Sequence, residues 1–282
     1  MENRQGAPLE TVIEPAGGGL VGALGGALAE AWRARELLGF LVWRDLRVRY
    51  RQTLLGAAWA VLRPLLSMVV FTVIFGRWVG LEAGDLPYPV FVYAGLLPWT
   101  LFNGAVSQAS MSLLNNTHLF TKVYFPRILL PAGTVGVVFV DFLLAAAVYG
   151  GILLYYGFAP PAAIVWLPAM VLLTLALSLG WGLLLAGPAV MYRDLRALVP
   201  FLLQTWMYLS PVIYPVTIVP PQWRWLLRLN PLVGIIDGFR ACLLGTPVAV
   251  ADLAAAAAIS LAVLAAGAAV FTATERRLAD IA

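Results

Sequence analysis

The chain has 282 residues, 62% of them hydrophobic and only 11% charged, with a formal net charge of +4. Soluble domains carry about 25% charged residues, so this composition excludes an ordinary water-soluble fold. One cysteine, Cys242, excludes an intrachain disulfide, and the one histidine, His118, is far from it in the chain, which leaves no His/Cys ligand set for a metal.

Residues 1–34 carry Glu2, Glu10 and Glu14 with a Gly/Ala-rich stretch, not a basic start, an apolar core and a cleavage site. They read as a mobile cytoplasmic tail without a signal peptide, and residues 35–282 as one six-span transmembrane domain. The next segment, Arg35–Arg51, has Leu38, Val42, Leu46 and Tyr50 on an i, i+4 ridge, with Arg44, Arg47 and Arg51 gathered opposite. An interfacial helix with its basic face toward anionic lipid, shaping a cytoplasmic entrance, fits this pattern. A plain basic flank that fixes topology is the alternative.

Six apolar stretches follow, at about 54–78, 89–113, 128–157, 163–190, 198–216 and 250–273, each near the roughly 20 residues that a ~30 Å hydrocarbon core requires. The strongest signal is the run from Phe142 to Tyr192, which contains no charged side chain and is divided by Pro160–Pro161 into two spans. Backbone amides in hydrocarbon must be paired, so these stretches are helices. With the N-terminus inside, only Arg77, Arg224, Arg228 and Arg240 of the 18 basic residues fall on the far side. This bias puts both termini in the cytoplasm. The positive charge is then an insertion signal, not a nucleic-acid footprint.

Between spans two and three, Asn115–Arg127 (NNTHLFTKVYFPR) places Phe120, Val123 and Tyr124 at helical spacing, and Pro126 stops the helix before Arg127. It reads as a cytoplasmic docking helix for a partner's groove, or as a loop helix resting on lipid. Asp141 in the third span is most simply a paired structural carboxylate, with a substrate or proton role as the other reading. Ser210–Pro247 is too apolar for a loop and, with Pro211, Pro215, Pro220, Pro221, Pro231 and Pro247, too broken for one span. Two re-entrant helices on the external side fit it, one of them capped by Asn230–Pro231 and ended by Gly245. Val233, Ile236, Phe239 and Leu243 are the expected external gate.

Most aromatics suit interfacial belts, but Phe102 and Trp181 sit too deep for that. Phe102, Trp181, Trp206 and Tyr208 are read as channel aromatics, whose faces give weak, repeated contacts to the apolar faces of sugar rings. Equally informative is what is missing. The sole lysine, Lys122, follows Thr121 and belongs to no phosphate-binding loop, so the chain has no nucleotide site. Few acids lie within the spans and there is no inverted repeat, which disfavours a proton-driven carrier.

The stretches GLLPWTLFNGAVSQASMSLLNN, LFTKVYFPRILLP, MYRDLRALVPFLLQTWMYLSPVIYP and WRWLLRLNPLVGIIDGFRACLLG resemble the permeases of ABC exporters for lipid-linked polysaccharides. These are the O-antigen, capsule and teichoic-acid exporters, and the resemblance spans about residues 33–275. It implies an all-α permease with six transmembrane helices, an N-terminal interfacial amphipathic helix and two re-entrant external helices before the last span. It also implies a homodimer in the bacterial inner membrane, working with two copies of a separate Mg-ATP-binding subunit. The cargo it implies is a polysaccharide on undecaprenyl diphosphate, O-antigen foremost. Arg44, Arg47 and Arg51 would meet the diphosphate at the entrance, and Leu119, Phe120, Lys122, Val123, Tyr124, Phe125 and Arg127 would form the ATPase-coupling helix. Family members often place an acid directly after the Tyr-Phe-Pro-Arg stretch, whereas Ile128 follows Arg127 here, leaving open where that arginine's ion pair lies. A drug or simple-lipid permease is the rival within transport. A membrane-embedded transferase for polyprenyl-linked sugar is the rival from another class, and it should carry a cluster of acids that this chain lacks.

Overall fold

A computed structural model of the chain describes residues 25–26, 33–51, 56–116 and 126–279, and among them every regular element is a helix. The first, α1, is Arg35–Arg51; α2 is Ala58–Phe71, prolonged by a π-helical stretch Thr72–Trp78. Then come α3 (Tyr88–Asn115), α4 (Leu129–Tyr155), α5 (Leu167–Met191, entered through a 3-10 turn Ala162–Trp166) and α6 (Leu195–Tyr208). The chain ends with α7 (Arg224–Arg228), α8 (Pro231–Leu244) and α9 (Val250–Ala279).

Among the described residues, five helices are long and apolar enough to cross a membrane: Ala58–Trp78, Tyr88–Asn115, Leu129–Tyr155, Ala162–Met191 and Val250–Glu275. The protein is a multi-pass membrane protein. The expected span at 198–216 differs. Its helix, α6, has 14 residues, a length of about 21 Å at ~1.5 Å per residue, short of the ~30 Å core. The apolar run does continue past Tyr208. However, Pro211 and Pro215 lack a backbone donor and bias the residues before them away from helix, so the chain turns instead.

Prolines also mark several helix starts, at the first turns of α3, α5 and α8, where a missing N–H costs nothing. Others, Pro64, Pro98, Pro188 and Pro200, lie inside helices. Membrane helices tolerate such prolines because neighbouring elements re-satisfy the freed carbonyls.

The centre of the bundle is α3. Val90, Val92, Tyr93, Ala94, Phe102, Ala105 and Ala109 have no exposed surface, and α4, α5 and α8 all pack against it. On its other side α5 meets α9 at Gly180 and Gly267. A Cβ on Gly267 would lie 2.3 Å from the Gly180 carbonyl oxygen, so only glycine allows this crossing. Small residues of this kind let membrane helices approach closely and gain dispersion contacts. By contrast, the flanks of α2 and α6 stay uncovered, with Leu66, Val69, Val70, Phe201 and Leu202 exposed.

Candidate functional site

Three polar side chains join α1 to α4. Arg49 reaches Asp141 at 3.0 Å and donates to Gln108 of α3 at 3.4 Å. The neighbouring Tyr50 hydroxyl donates to the same carboxylate. Burial, helped by that carboxylate, pushes the Tyr50 hydroxyl up to about 12, so it keeps its proton and remains a donor. The rest of the interface is apolar. Leu41 is buried against the start of α4, and Leu38 and Val42 approach Gly133 and Gly136. The expected ridge thus packs on protein, and the carboxylate of Asp141 is paired.

This clamp forms one wall of a cavity of about 570 Å³, within the ~300–1,000 Å³ typical of ligand sites. Arg49, Tyr50, Trp59 and Arg63 line it from α1 and α2, Trp99, Asn103 and Gln108 from α3, Asp141 from α4 and Gln204 from α6. From Gln108 to Trp99 the lining runs along α3 for roughly 14 Å at ~1.5 Å per residue. Polar and aromatic groups therefore converge in an otherwise apolar bundle.

An aromatic series continues from there. Trp99 packs on Phe102 (6.0 Å between centroids), Phe102 on Trp206 (5.2 Å) and Trp206 on Trp181 (5.3 Å), the last two edge-on. Edge-to-face pairs of this kind add ~0.5–1.5 kcal/mol beyond their area. Trp206 also donates to Asn230 Oδ1 at 3.0 Å, and Asn230 reaches back to Ser210 Oγ at 2.9 Å. Asn230 is the N-cap of α8, accepting from the Leu232 amide at 3.1 Å, and Gly245 closes the helix with φ of 72°. Both ends of α8 fall where the sequence pattern puts them.

Arg240 holds α8 in place. It is 3% exposed, donates to the Val212 carbonyl at 3.0 Å, faces Asp237 at 3.5 Å and lies 3.7 Å over the Phe91 ring. A Cβ on Gly95 would meet its guanidinium at 2.9 Å, which is why α3 is bare at that point.

The residues expected to act fall in different places. Arg44 pairs with Asp45 (2.7 Å) and donates to Asn116, Arg47 stacks on Trp43, and Arg51 is exposed. None of the three lines the cavity; Arg49 and Arg63 do. Phe102 is wholly buried, Trp181 and Trp206 are half-buried beside it, and Tyr208 is exposed on the flank of α6. Val233, Ile236, Phe239 and Leu243 are all buried in the core of the chain. Leu119, Phe120, Lys122, Val123, Tyr124 and Phe125 lie outside the described residues. Arg127 is described, and its acid comes from the far end of the chain: it faces Glu275 Oε1 at 3.9 Å and donates to the Glu275 carbonyl at 3.3 Å.

The sequence marks none of Arg49, Arg63 and Arg240 as a site residue; Arg63 reads there only as a side chain that snorkels from the first span to the interface. For Arg240 a signal exists, an acid one turn before it on the same apolar helix, Asp237, whereas Arg49 is one of several arginines on α1 and nothing in that segment alone singles it out.

Residues 36–244 match the family described as ABC-2 type transporter. The chain is 32% identical over 254 residues to the O-antigen export system permease protein RfbA of Myxococcus xanthus, covering 89% of this chain and 97% of that protein. It is 26% identical to the polysialic acid transport protein KpsM of Escherichia coli, over 69% of this chain and 76% of the relative. To the inner membrane transport permease YadH of Escherichia coli K12 it is 28% identical, over 64% and 74%.

Proposed function

This chain belongs to the ABC-2 type transporter family, whose membrane permease subunits carry no nucleotide-binding domain and work with separate ATP-binding subunits, and we propose that it exports lipid-linked polysaccharide. The cargo is a polymer built on undecaprenyl diphosphate, with O-antigen foremost and capsule next. The site is the bacterial inner membrane, with two copies of the chain and two ATP-binding subunits per exporter. The relatives named for O-antigen and polysialic acid support the cargo class.

One observation carries the reading at the level of geometry. A polar cavity at the α1 end has Trp59 and Trp99 in its wall, and a packed series of rings, Trp99, Phe102 and Trp206, links that wall to Asn230, the cap of α8. The cavity suits a charged head group, and the Trp59 and Trp99 rings in its wall suit sugar rings that must slide past without tight binding.

Six crossings are supported by parity. Arg44 on α1 donates to Asn116 at the end of α3, and Arg127 before α4 faces Glu275 near the end of α9. These contacts gather α1 and the close of α9 at one end of the bundle, which requires an even number of passes. Five long helices and the shorter α6, completed by the turn after it, provide six. The positive-inside bias makes that end cytoplasmic. The uncovered apolar flanks of α2 and α6 face lipid and the second copy.

Deleting the gene in its host tests the reading. Surface polysaccharide should disappear while lipid-linked polymer accumulates inside, and the intact gene should restore export. Unchanged surface polymer with altered drug tolerance would favour the drug-permease rival, and sugar transfer by the purified chain would favour the transferase.

A further inference from the structure

Arg63 is the sixth residue of α2, about 8 Å into the helix at ~1.5 Å per residue. Its side chain is exposed, and a cation at that depth either snorkels to the interface or meets an anion. Its guanidinium lies 5.7 Å from the Trp59 ring, and among the described residues no carboxylate pairs with it. The cavity it lines contains one other cation, Arg49, and one carboxylate, Asp141. Asp141 already serves Arg49 and Tyr50, so the lining holds one positive charge that its own residues do not neutralise. Asn103, Gln108 and Gln204 add neutral hydrogen-bonding groups around the same space.

We infer that this cavity binds a phosphate-bearing head group, with Arg63 as its open cation and Asp141 as a resting counter-anion that surrenders Arg49 when the phosphate arrives. The guanidinium forks of both arginines match phosphate oxygens in pairs. Asp141 is not stranded by the exchange, because the Tyr50 hydroxyl continues to donate to it. Arg44, Arg47 and Arg51, on α1 but outside the cavity lining, then add positive charge to that helix without forming the seat. This deepens the exporter reading and rests on it only for the choice of lipid carrying the phosphate.

The test is native mass spectrometry of the full-length chain in detergent with undecaprenyl diphosphate as the probe. Undecaprenol, which has the tail and no phosphate, should bind at least tenfold less. Arg63→Gln should weaken the diphosphate adduct at least tenfold, and Asp141→Asn should strengthen it severalfold by removing the competing anion. A merely structural carboxylate would give the opposite sign. Arg49→Gln with Asp141→Asn removes both charges together, keeps the net charge and protects folding, and should still lose the adduct.

Competition identifies the source of the phosphate. Displacement by inorganic pyrophosphate alone supports a site for free diphosphate, and equal displacement by phosphatidylglycerol supports an ordinary phospholipid head group. Undecaprenol binding as well as the diphosphate, an unaffected Arg63→Gln variant, or a weaker Asp141→Asn adduct would each overturn the inference. Binding is read without turnover, so a failed binding result leaves the exporter reading standing, and a failed export assay leaves the site standing.

Discussion

Tyr93 and Tyr149 lie ring on ring at 5.2 Å, and each donates its hydroxyl to the helix that carries the other. Tyr93 of α3 reaches the Ala145 carbonyl of α4 at 3.2 Å, and Tyr149 of α4 reaches the Val90 carbonyl of α3 at 3.0 Å. Both side chains are essentially unexposed. Interhelical hydrogen bonds in membranes average about 0.6 kcal/mol, whereas deleting a buried aromatic ring costs about 3–5 kcal/mol. Tyr149→Phe should therefore cost under ~2 kcal/mol and Tyr149→Ala several times more, measured by reversible unfolding in mixed micelles. Equal costs for the two variants would show that the hydroxyl, not the ring, holds α3 to α4.

Arg240 offers a sharper contrast. Arg240 is buried but Asp237 is 31% exposed, so the acid left by removing the arginine is partly solvated and the cost falls to the lower end of the ~3–5 kcal/mol of a fully buried pair. Arg240→Met should loosen α8 by that order, and adding Asp237→Asn should recover part of the loss. Cys242, buried two residues further on, reports the event. It should resist a thiol reagent in the unaltered chain and react in the Arg240→Met variant. An unreactive Cys242 in that variant would mean that packing alone holds α8.

The spans were legible because hydropathy and length are properties of a segment alone. The same holds for α1, whose bounds match the amphipathic stretch, and for α8, whose Asn-Pro cap and terminal glycine are local signals. The stop of α6 at Tyr208 was missed because hydropathy does not register that Pro211 and Pro215 end a helix within an apolar run. Which arginines line the cavity was not legible either. Arg44 and Arg49 sit on one helix, and only the placement of Gln108 on α3 and Asp141 on α4 decides that Arg49 turns inward.

Coupling to an ATP-binding partner makes a separate prediction. Lys122 stands in no phosphate loop, so the purified chain should show no magnesium-dependent ATP turnover. Replacing Phe120, Tyr124 and Arg127 with alanine should abolish export and partner co-purification while insertion continues. Because Arg127 faces Glu275 across the chain, Glu275→Gln should weaken co-purification less than the triple variant does. A triple variant that retains its partner and exports normally would place the docking surface elsewhere.

The last prediction concerns the outer closure. Val233, Ile236, Phe239 and Leu243 are buried within the chain, and Arg240 and Asn230 tie their helix to the turn that follows α6. We propose that this apolar face closes the exit by excluding water, and that α8 moves together with that turn to open it. Cysteines at Ile236 or Phe239, in a Cys242→Ala background, should resist an impermeant external thiol reagent at rest. They should label at least tenfold faster when polymer is trapped in transit. Cysteines at Trp225 or Leu226 on exposed α7 should label in both states and serve as the internal standard. Constant labelling at Ile236 would mean that α8 is not packed at rest. Labelling of α7 only from the cytoplasmic side would reverse the topology after α5.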